Sequence, residues 1–116
     1  MKDAEIVDPV QQISFHPRYY ELIRSGTKRA TTRFGEQITL GPARFVFEFA
    51  DEIQLLAGTV EGIESRRFNE LSDADAAVEG MASAEELREA LRMHYPEIGN
   101  DADLTFVRFR LTPAQE

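Results

Sequence analysis

The segment from Ser25 to Arg33 contains the side chain best suited to acid–base chemistry in this chain. Lys28 lies in this segment, the only other lysine is Lys2, and the remaining eleven basic residues are arginines. A guanidinium keeps its proton in proteins, whereas burial or neighbouring cations can push an ammonium toward its neutral form. Codon bias gives the same composition, so the pattern favours, without establishing, a need for a deprotonatable amine at position 28.

Positive charge is concentrated around this lysine. The chain has four cations and no acid between Leu22 and Gly35, namely Arg24, Lys28, Arg29 and Arg33. The segment from Glu61 to Asp103 carries twelve acids and four arginines, and the net charge of the chain is −8. This charge distribution argues against a protein that coats nucleic acid without sequence preference, because phosphate binding relies on clustered cations. We expect a positive mouth on an acidic body, which suits a small substrate or a short single strand better than a long duplex.

The length and composition predict one small domain without a metal. A chain of 116 residues has room for a single core, which we place at residues 12–112, with flexible tails at 1–11 and 113–116. The chain has no cysteine, which excludes disulfides, thiolate nucleophiles and cysteine-ligated zinc and favours a reducing compartment. No apolar run approaches the roughly 20 residues that span a bilayer, and the first residues lack the apolar core of a signal peptide. We therefore expect a cytoplasmic protein with no membrane partner.

The elements that must position Lys28 can be read from hydrophobic periodicity and from helix caps. Five strands are predicted at residues 13–15, 27–34, 44–49, 54–63 and 104–111, and three helices at 17–25, 72–80 and 83–95. Phe45, Phe47 and Phe49 alternate with other residues, so their rings share one core face. Gly58 and Gly62 indicate a bend or a close approach of backbone in the fourth strand. The element order predicts an α+β domain with a mostly antiparallel, barrel-like sheet and flanking helices.

The pattern G-x-K-x-x-T-x-R at residues 26–33, which follows a helix, resembles the signature of the ASCH domain. The usual signature has glutamate where this chain has Thr31. Threonine there is similar to the branch that contains the bacterial N4-acetylcytidine amidohydrolases, whose catalytic set is a lysine, a threonine and a downstream glutamate. The resemblance covers about Gln12 to Leu111. It implies a PUA-like barrel and a catalytic set of Lys28, Thr31 and Glu79.

The chemistry of amide hydrolysis gives these three residues two alternative sets of roles. In the first, Thr31 is the nucleophile, a neutral Lys28 takes its proton, and Glu79 orients water or exchanges a proton with the leaving nitrogen. Burial and the cations Arg29 and Arg33 would lower the pKa of Lys28 in that case. In the second, Glu79 is the general base for water, a charged Lys28 holds the oxyanion and Thr31 places the substrate. A charged Glu79 against Lys28 would raise the pKa of the lysine, so the two sets are in tension.

The predicted strand creates a geometric problem for this site. Positions 28 and 31 of a regular strand point to opposite faces, so Lys28 and Thr31 reach one pocket only if Lys28 lies in the turn or a bulge intervenes. His16 and His94 are too few and too far apart in sequence to predict a metal site, and His94 is expected to be a helix-face residue. No metal and no organic cofactor are therefore expected.

Five further residues are predicted to contact the substrate. Arg33 and Arg29 are the candidates for polar contacts, and Tyr19, Tyr20 and Phe34 are the candidates to stack on a base. The predicted function is a metal-independent amidohydrolase that removes the acetyl group of N4-acetylcytidine or a related acylated nucleoside, as a monomer or a weak dimer. Two alternatives remain open, an RNA-binding module without catalysis and a ribonuclease that acts on single-stranded RNA.

Overall fold

The computed structural model describes residues 10–113, so most of both predicted tails lies outside the described residues. The first strand begins at Gln11, one residue before the predicted start of the domain. The strands are β1 Gln11–Phe15, β2 Ala30–Arg33, β3 Gly41–Glu48, β4 Ile53–Arg67 and β5 Asp103–Leu111. The helices are α1 Tyr20–Arg24, α2 Asp73–Val78 and α3 Ala84–His94, and short 3-10 turns at Pro17–Tyr19 and Phe68–Glu70 precede α1 and α2.

One five-stranded sheet in the order β1-β3-β4-β5-β2 curls into a half-barrel. Strand β1 pairs with β3 in parallel, and the other three pairings are antiparallel. The two edge strands lie close enough for Arg33 Nη2 on β2 to donate to the carbonyl oxygen of Ser14 on β1 at 2.8 Å. The predicted fold class, an α+β domain with a mostly antiparallel barrel-like sheet, is confirmed.

The first core lies inside the curled sheet and has the predicted phenylalanine face at its centre. Phe45 and Phe47 are completely buried, whereas Phe49 lies just beyond β3 and is half-buried. Strand β4 is longer than predicted, and a bulge near Gly62 shifts its register against β5. A Cβ at Gly58 would lie 2.5 Å from the ring of Phe45, so the predicted close approach of backbone is confirmed.

The second core lies under α2 and α3. It contains six buried side chains, Phe68, Leu71, Ala76, Leu87, Leu91 and Leu104. Ser72 caps α2 through a reciprocal pair of hydrogen bonds with Asp75, and the Ser83 hydroxyl accepts from the backbone N–H of Glu86 at the start of α3. Both serines therefore have the predicted capping role. The two cores support opposite sides of a cavity between the edge of the sheet and the face of α3.

Candidate active site

Lys28 lies in the turn between α1 and β2, not in a strand. Strand β2 begins at Ala30, so the strand predicted from Thr27 is three residues too long at its start. The Lys28 backbone N–H donates to Leu22 O, and that of Arg29 donates to Val78 O, each at 2.8 Å. These bonds to the ends of two helices replace the ladder of a sheet. The strand geometry that would separate positions 28 and 31 therefore does not apply.

The Lys28 side chain forms a buried ion pair with Glu79. Its Nζ lies 3.0 Å from Glu79 Oε1, and each residue is 2% exposed. Glu79 caps the C-terminus of α2, and Gly80 follows it with a φ of +78°, a backbone conformation that favours glycine. Burial lowers the pKa of Lys28 below its ordinary value, while the Glu79 carboxylate opposes that shift and the Arg33 charge adds to it.

Thr32 is the second partner of Glu79, and sequence reasoning missed it. The Thr32 hydroxyl donates to Glu79 Oε2 at 2.5 Å, and Thr32 is 4% exposed. Each oxygen of the carboxylate therefore accepts one buried hydrogen bond, one from Lys28 and one from Thr32. The sequence contained a signal for this contact. Thr31 and Thr32 are adjacent in a strand and present their hydroxyls to opposite faces, but only Thr31 fits the resemblance.

Thr31 belongs to a different hydrogen-bond network from Lys28. Arg33 Nε donates to Thr31 Oγ1 at 3.2 Å, and Arg33 Nη1 lies 2.8 Å from a carboxylate oxygen of Glu36. The Tyr95 hydroxyl donates to the other Glu36 oxygen, and burial together with that contact raises the pKa of Tyr95 to about 12. Within residues 10–113, no hydrogen bond joins Thr31 Oγ1 to Lys28 Nζ. Because its oxygen accepts from a guanidinium, the Thr31 hydroxyl has its own proton available to donate.

These side chains surround a cavity of about 260 Å³. The predicted catalytic residues Lys28, Thr31 and Glu79 all line it, as do two of the five predicted substrate contacts, Tyr19 and Arg33. The Lys28 ammonium lies 4.9 Å from the centre of the Tyr19 ring, within the range of a cation–π contact. The rest of the wall consists of Ser14, Phe15, His16, Thr32, Glu36, Met81, Leu87, Ala90, Leu91, His94 and Tyr95. The volume lies near the lower end of the roughly 300–1,000 Å³ of small-molecule sites.

The other three predicted substrate contacts do not line this cavity. The Tyr20 ring packs edge-on against two core rings, those of Phe47 and Phe49. The Phe34 ring packs edge-on against Tyr95, in the second core. Arg29 is exposed and borders a separate groove with residues of α1 and β5, because it follows the inward-facing Lys28 along the chain. The backbone directs neighbouring side chains to different surroundings, so Tyr19 and Lys28 line the cavity and Tyr20 and Arg29 do not.

Both histidines of the chain line the cavity, although they are 78 positions apart. The Tyr19 hydroxyl lies 3.4 Å from His94 Nε2. The His16 ring packs edge-on against the Tyr19 ring, with the two ring centres 6.4 Å apart. Desolvation lowers the pKa of His94, and the charges of Arg18, His16, Arg33 and Lys28 add to that effect. Sequence separation concealed this pairing, since α3 returns across the molecule to the turn before α1.

Residues 10–113 contain no group of three or more histidine, cysteine, aspartate or glutamate side chains placed to hold a metal ion. None of the helices in the same range is both long enough and apolar enough to cross a membrane.

Comparison with known structures identifies the fold. An ASCH domain from Lactobacillus crispatus superposes with a TM-score of 0.67 at 22% identity, over 78% of this chain and 68% of that one. A protein from Enterococcus faecalis gives a TM-score of 0.67 at 18% identity, over 92% and 78%. A variant of an ASCH protein from Zymomonas mobilis gives 0.62 at 18%, over 85% and 67%. No family model and no curated protein matches the sequence. The predicted ASCH-type fold is confirmed.

Proposed function

We propose, from the ASCH-domain fold and the buried carboxylate, that this chain is a hydrolase that removes the acetyl group of N4-acetylcytidine or a related acylated nucleoside. One observation carries the proposal. Glu79 lies in a small cavity with one oxygen on the Lys28 ammonium and the other on the Thr32 hydroxyl. Burying such a pair costs stability that an apolar pair would not, so a catalytic use accounts for its presence.

The bond-making step begins with water. Glu79 accepts a proton from a water molecule as its oxygen attacks the acyl carbon, and a new C–O bond forms while the carbonyl electrons move to oxygen. The Lys28 ammonium stabilises that oxyanion electrostatically, and the cavity excludes the bulk water that would screen it. The Thr31 hydroxyl, whose oxygen accepts a hydrogen bond from Arg33, donates a hydrogen bond to the substrate and so fixes the orientation of the amide.

The bond-breaking step returns the proton. When the tetrahedral intermediate collapses, the C–N bond breaks and protonated Glu79 gives its proton to the departing nitrogen. The products are the nucleoside with a free amino group and acetic acid, which releases its proton to solvent as acetate, and Glu79 is again a carboxylate. Glu79 acts as base and then as acid, so one buried group serves both steps.

The water route is supported over an acyl-enzyme route by the partners of Lys28. A nucleophilic Thr31 needs a base in contact with its hydroxyl, and the contact that the Lys28 amine makes is with Glu79. Arg33 donates to Thr31 Oγ1, which reduces the electron density available for attack. These contacts support the second set of roles, in which Glu79 is the base for water and Lys28 holds the oxyanion.

The experiment mixes the purified chain with N4-acetylcytidine and follows cytidine release by chromatography. Lys28→Gln and Glu79→Gln are expected to lose at least about 100-fold in kcat/KM, within the range of general acid–base and oxyanion contributions. Arg29→Gln is the matched control, because Arg29 is adjacent in sequence but borders a different groove. A folded parent that releases no cytidine refutes the proposal. Loss of activity in the Arg29 variant equal to that in the Lys28 variant refutes the assigned site.

An RNA-binding module without catalysis is the second candidate, and the cationic side chains at the cavity mouth favour it. His16 and His94 line the cavity, and the Arg18 guanidinium lies 5.4 Å from the centre of the neighbouring Tyr19 ring, on the side from which a strand of RNA would approach. Affinity of a binder for RNA falls steeply as salt increases, whereas hydrolysis of an uncharged nucleoside changes little. A gel of single-stranded RNA after incubation separates both from a ribonuclease.

A further inference from the structure

The two histidines and Arg18 form a cluster at the mouth of the cavity that the hydrolytic steps do not use. His16 and His94 line the cavity on either side of Tyr19, with ring centroids 6.4 and 6.1 Å from the Tyr19 ring. The Arg18 guanidinium lies 5.4 Å from the centre of the same ring. All three side chains are exposed; the two histidines line the cavity, and Arg18 borders the adjacent groove. We refer to His16, Arg18 and His94 as the mouth cluster.

Charge at the cavity is not balanced once the ion pairs are counted. The two acids that line it are each engaged by a cation, Glu79 by Lys28 at 3.0 Å and Glu36 by Arg33 at 2.8 Å. Among the described residues, no carboxylate lies within 4 Å of Arg18. Arg18 is therefore a cation without an ion pair among the described residues, in a groove that Glu86 and Glu89 also line.

We propose that the mouth cluster binds a phosphate group, so that the preferred substrate of the site is an acylated nucleoside phosphate or an RNA end rather than a free nucleoside. The inference rests on the proposed function for the identity of the base. The position of the cluster supports it. A base that enters the cavity as far as Glu79 leaves its ribose, and any phosphate on that ribose, at the mouth.

The hydrogen bonding of His16 suits a phosphate. Its Nδ1 accepts from the backbone N–H of Arg18 at 3.1 Å, so the ring proton of the neutral form lies on Nε2, as a donor. A phosphate oxygen can accept from that nitrogen and from the guanidinium of Arg18 together. The backbone bond at the start of the turn thus fixes both the tautomer and the ring orientation.

His94 contributes a response to pH. Its Nε2 lies 3.4 Å from the Tyr19 hydroxyl, the charges of Arg18, His16, Arg33 and Lys28 act on it, and the paired acids Glu36 and Glu79 line the same cavity. Desolvation first, and then these cations, lower the pKa of His94. A bound dianion offsets both the desolvation and the repulsion, so phosphate binding raises the pKa of His94. By linkage, binding of the phosphate dianion and protonation of His94 favour each other.

The test uses the fact that the chain has two histidines, which give two resolved ring signals in proton NMR. Inorganic phosphate, and separately cytidine 5′-monophosphate and 3′-monophosphate, are titrated into the full chain at fixed ionic strength, and each ring is followed against pH. We expect both ring signals to shift and the pKa of His94 to rise. Arg18→Gln is expected to weaken the response about tenfold. Arg44→Gln on the far strand β3 serves as the control. Absence of any shift, or an equal response in the Arg18 variant, overturns the proposal.

Kinetics separate this inference from the proposed function. The kcat/KM for the 5′- or 3′-monophosphate of N4-acetylcytidine should exceed that for the free nucleoside by about tenfold at pH 6, and His16→Gln should abolish that ratio. Equal kcat/KM values for the monophosphate and the free nucleoside overturn the proposed phosphate site and leave the proposed hydrolase activity standing. Phosphate-dependent NMR shifts without hydrolysis support the cluster and refute the hydrolase. A short oligonucleotide that competes better than the mononucleotide identifies RNA as the source of the phosphate.

Discussion

Thr32→Val tests how the Glu79 carboxylate is held. Valine has the shape of threonine without the hydroxyl, so the change removes the donor to Glu79 Oε2 and leaves the packing of β2 nearly unchanged. Thr32 is 4% exposed and Glu79 is 2% exposed, so bulk water does not replace the lost donor. Leaving a buried acceptor unsatisfied costs about 1–3 kcal/mol, and hydrogen bonds to charged groups lie toward the upper part of that range.

That cost sets the size of the kinetic effect. If the carboxylate turns away from the position it holds against water, the full amount appears in the activation free energy, which corresponds to roughly a 5- to 150-fold fall in kcat. KM should change less than twofold, because Thr32 holds Glu79 and the substrate is held by Thr31, Arg33 and the cavity wall. The assay is cytidine release at saturating and limiting substrate, alongside urea unfolding to establish that the variant folds.

Two further variants distinguish the hydroxyl from the methyl group of Thr32. Thr32→Ser keeps the donor and should recover most of the parental kcat. Thr59→Val removes a hydroxyl from a half-buried strand threonine outside the cavity and should leave kcat unchanged. A folded Thr32→Val with parental kcat would refute the positioning role. A serine variant as slow as the valine variant would show that packing, not hydrogen bonding, matters at this position.

Three other predictions concern stability. Lys28→Met should lower the free energy of unfolding in urea by about 3–5 kcal/mol, because it leaves Glu79 as an unpaired buried charge. The double variant Lys28→Met with Glu79→Leu should be more stable than either single variant. An interaction free energy of zero in this double-mutant cycle would contradict the buried pair. Gly58→Ala should cost at least about 1–3 kcal/mol, because the new Cβ would lie 2.6 Å from a backbone carbonyl, whereas Gly62→Ala, with its nearest atom at 3.6 Å, should be tolerated. Equal unfolding free energies for the two glycine variants would contradict this packing. The raised pKa of Tyr95, about 12, means that the unfolded chain releases this proton from pH 10 upward while the folded chain keeps it, so stability falls between pH 10 and about 12. Tyr95→Phe should lack that part of the fall and the matching phenolate absorbance step, and an unchanged titration would contradict the assignment.

The sequence predicts the fold well because the elements of this chain have strong local signals. Phe45 and Phe47 alternate with outward-facing residues along β3, and the serines before α2 and α3 cap their helices as their spacing indicates. The glycine in the middle of β4 sits where a side chain cannot fit. These are effects of periodicity, capping and steric exclusion, and each acts over a few residues.

The candidate site is less predictable because it depends on contacts across the fold. The backbone bonds that draw Lys28 out of the strand come from Leu22 and Val78, which no local pattern connects to it. The partner of Glu79 is the threonine at the variable position of the motif, 47 residues earlier. Adjacency also misled the prediction, since Tyr20 lies next to Tyr19 but packs against Phe47 and does not line the cavity. Side-chain direction at a turn is decided by tertiary packing.

The measurement that tests the central claim most directly is hydrolysis in oxygen-18 water. Single turnover of N4-acetylcytidine by excess protein, with Glu79→Gln beside the parent, reports whether water is activated at this carboxylate. The account predicts no acetylated Thr31 in a digest quenched during the turnover and no turnover by the Glu79 variant, while the single labelled oxygen in the parent's acetate, which both routes give, shows that the C–N bond is cleaved by hydrolysis. Parental turnover by Glu79→Gln, or acetyl trapped on Thr31, would contradict it.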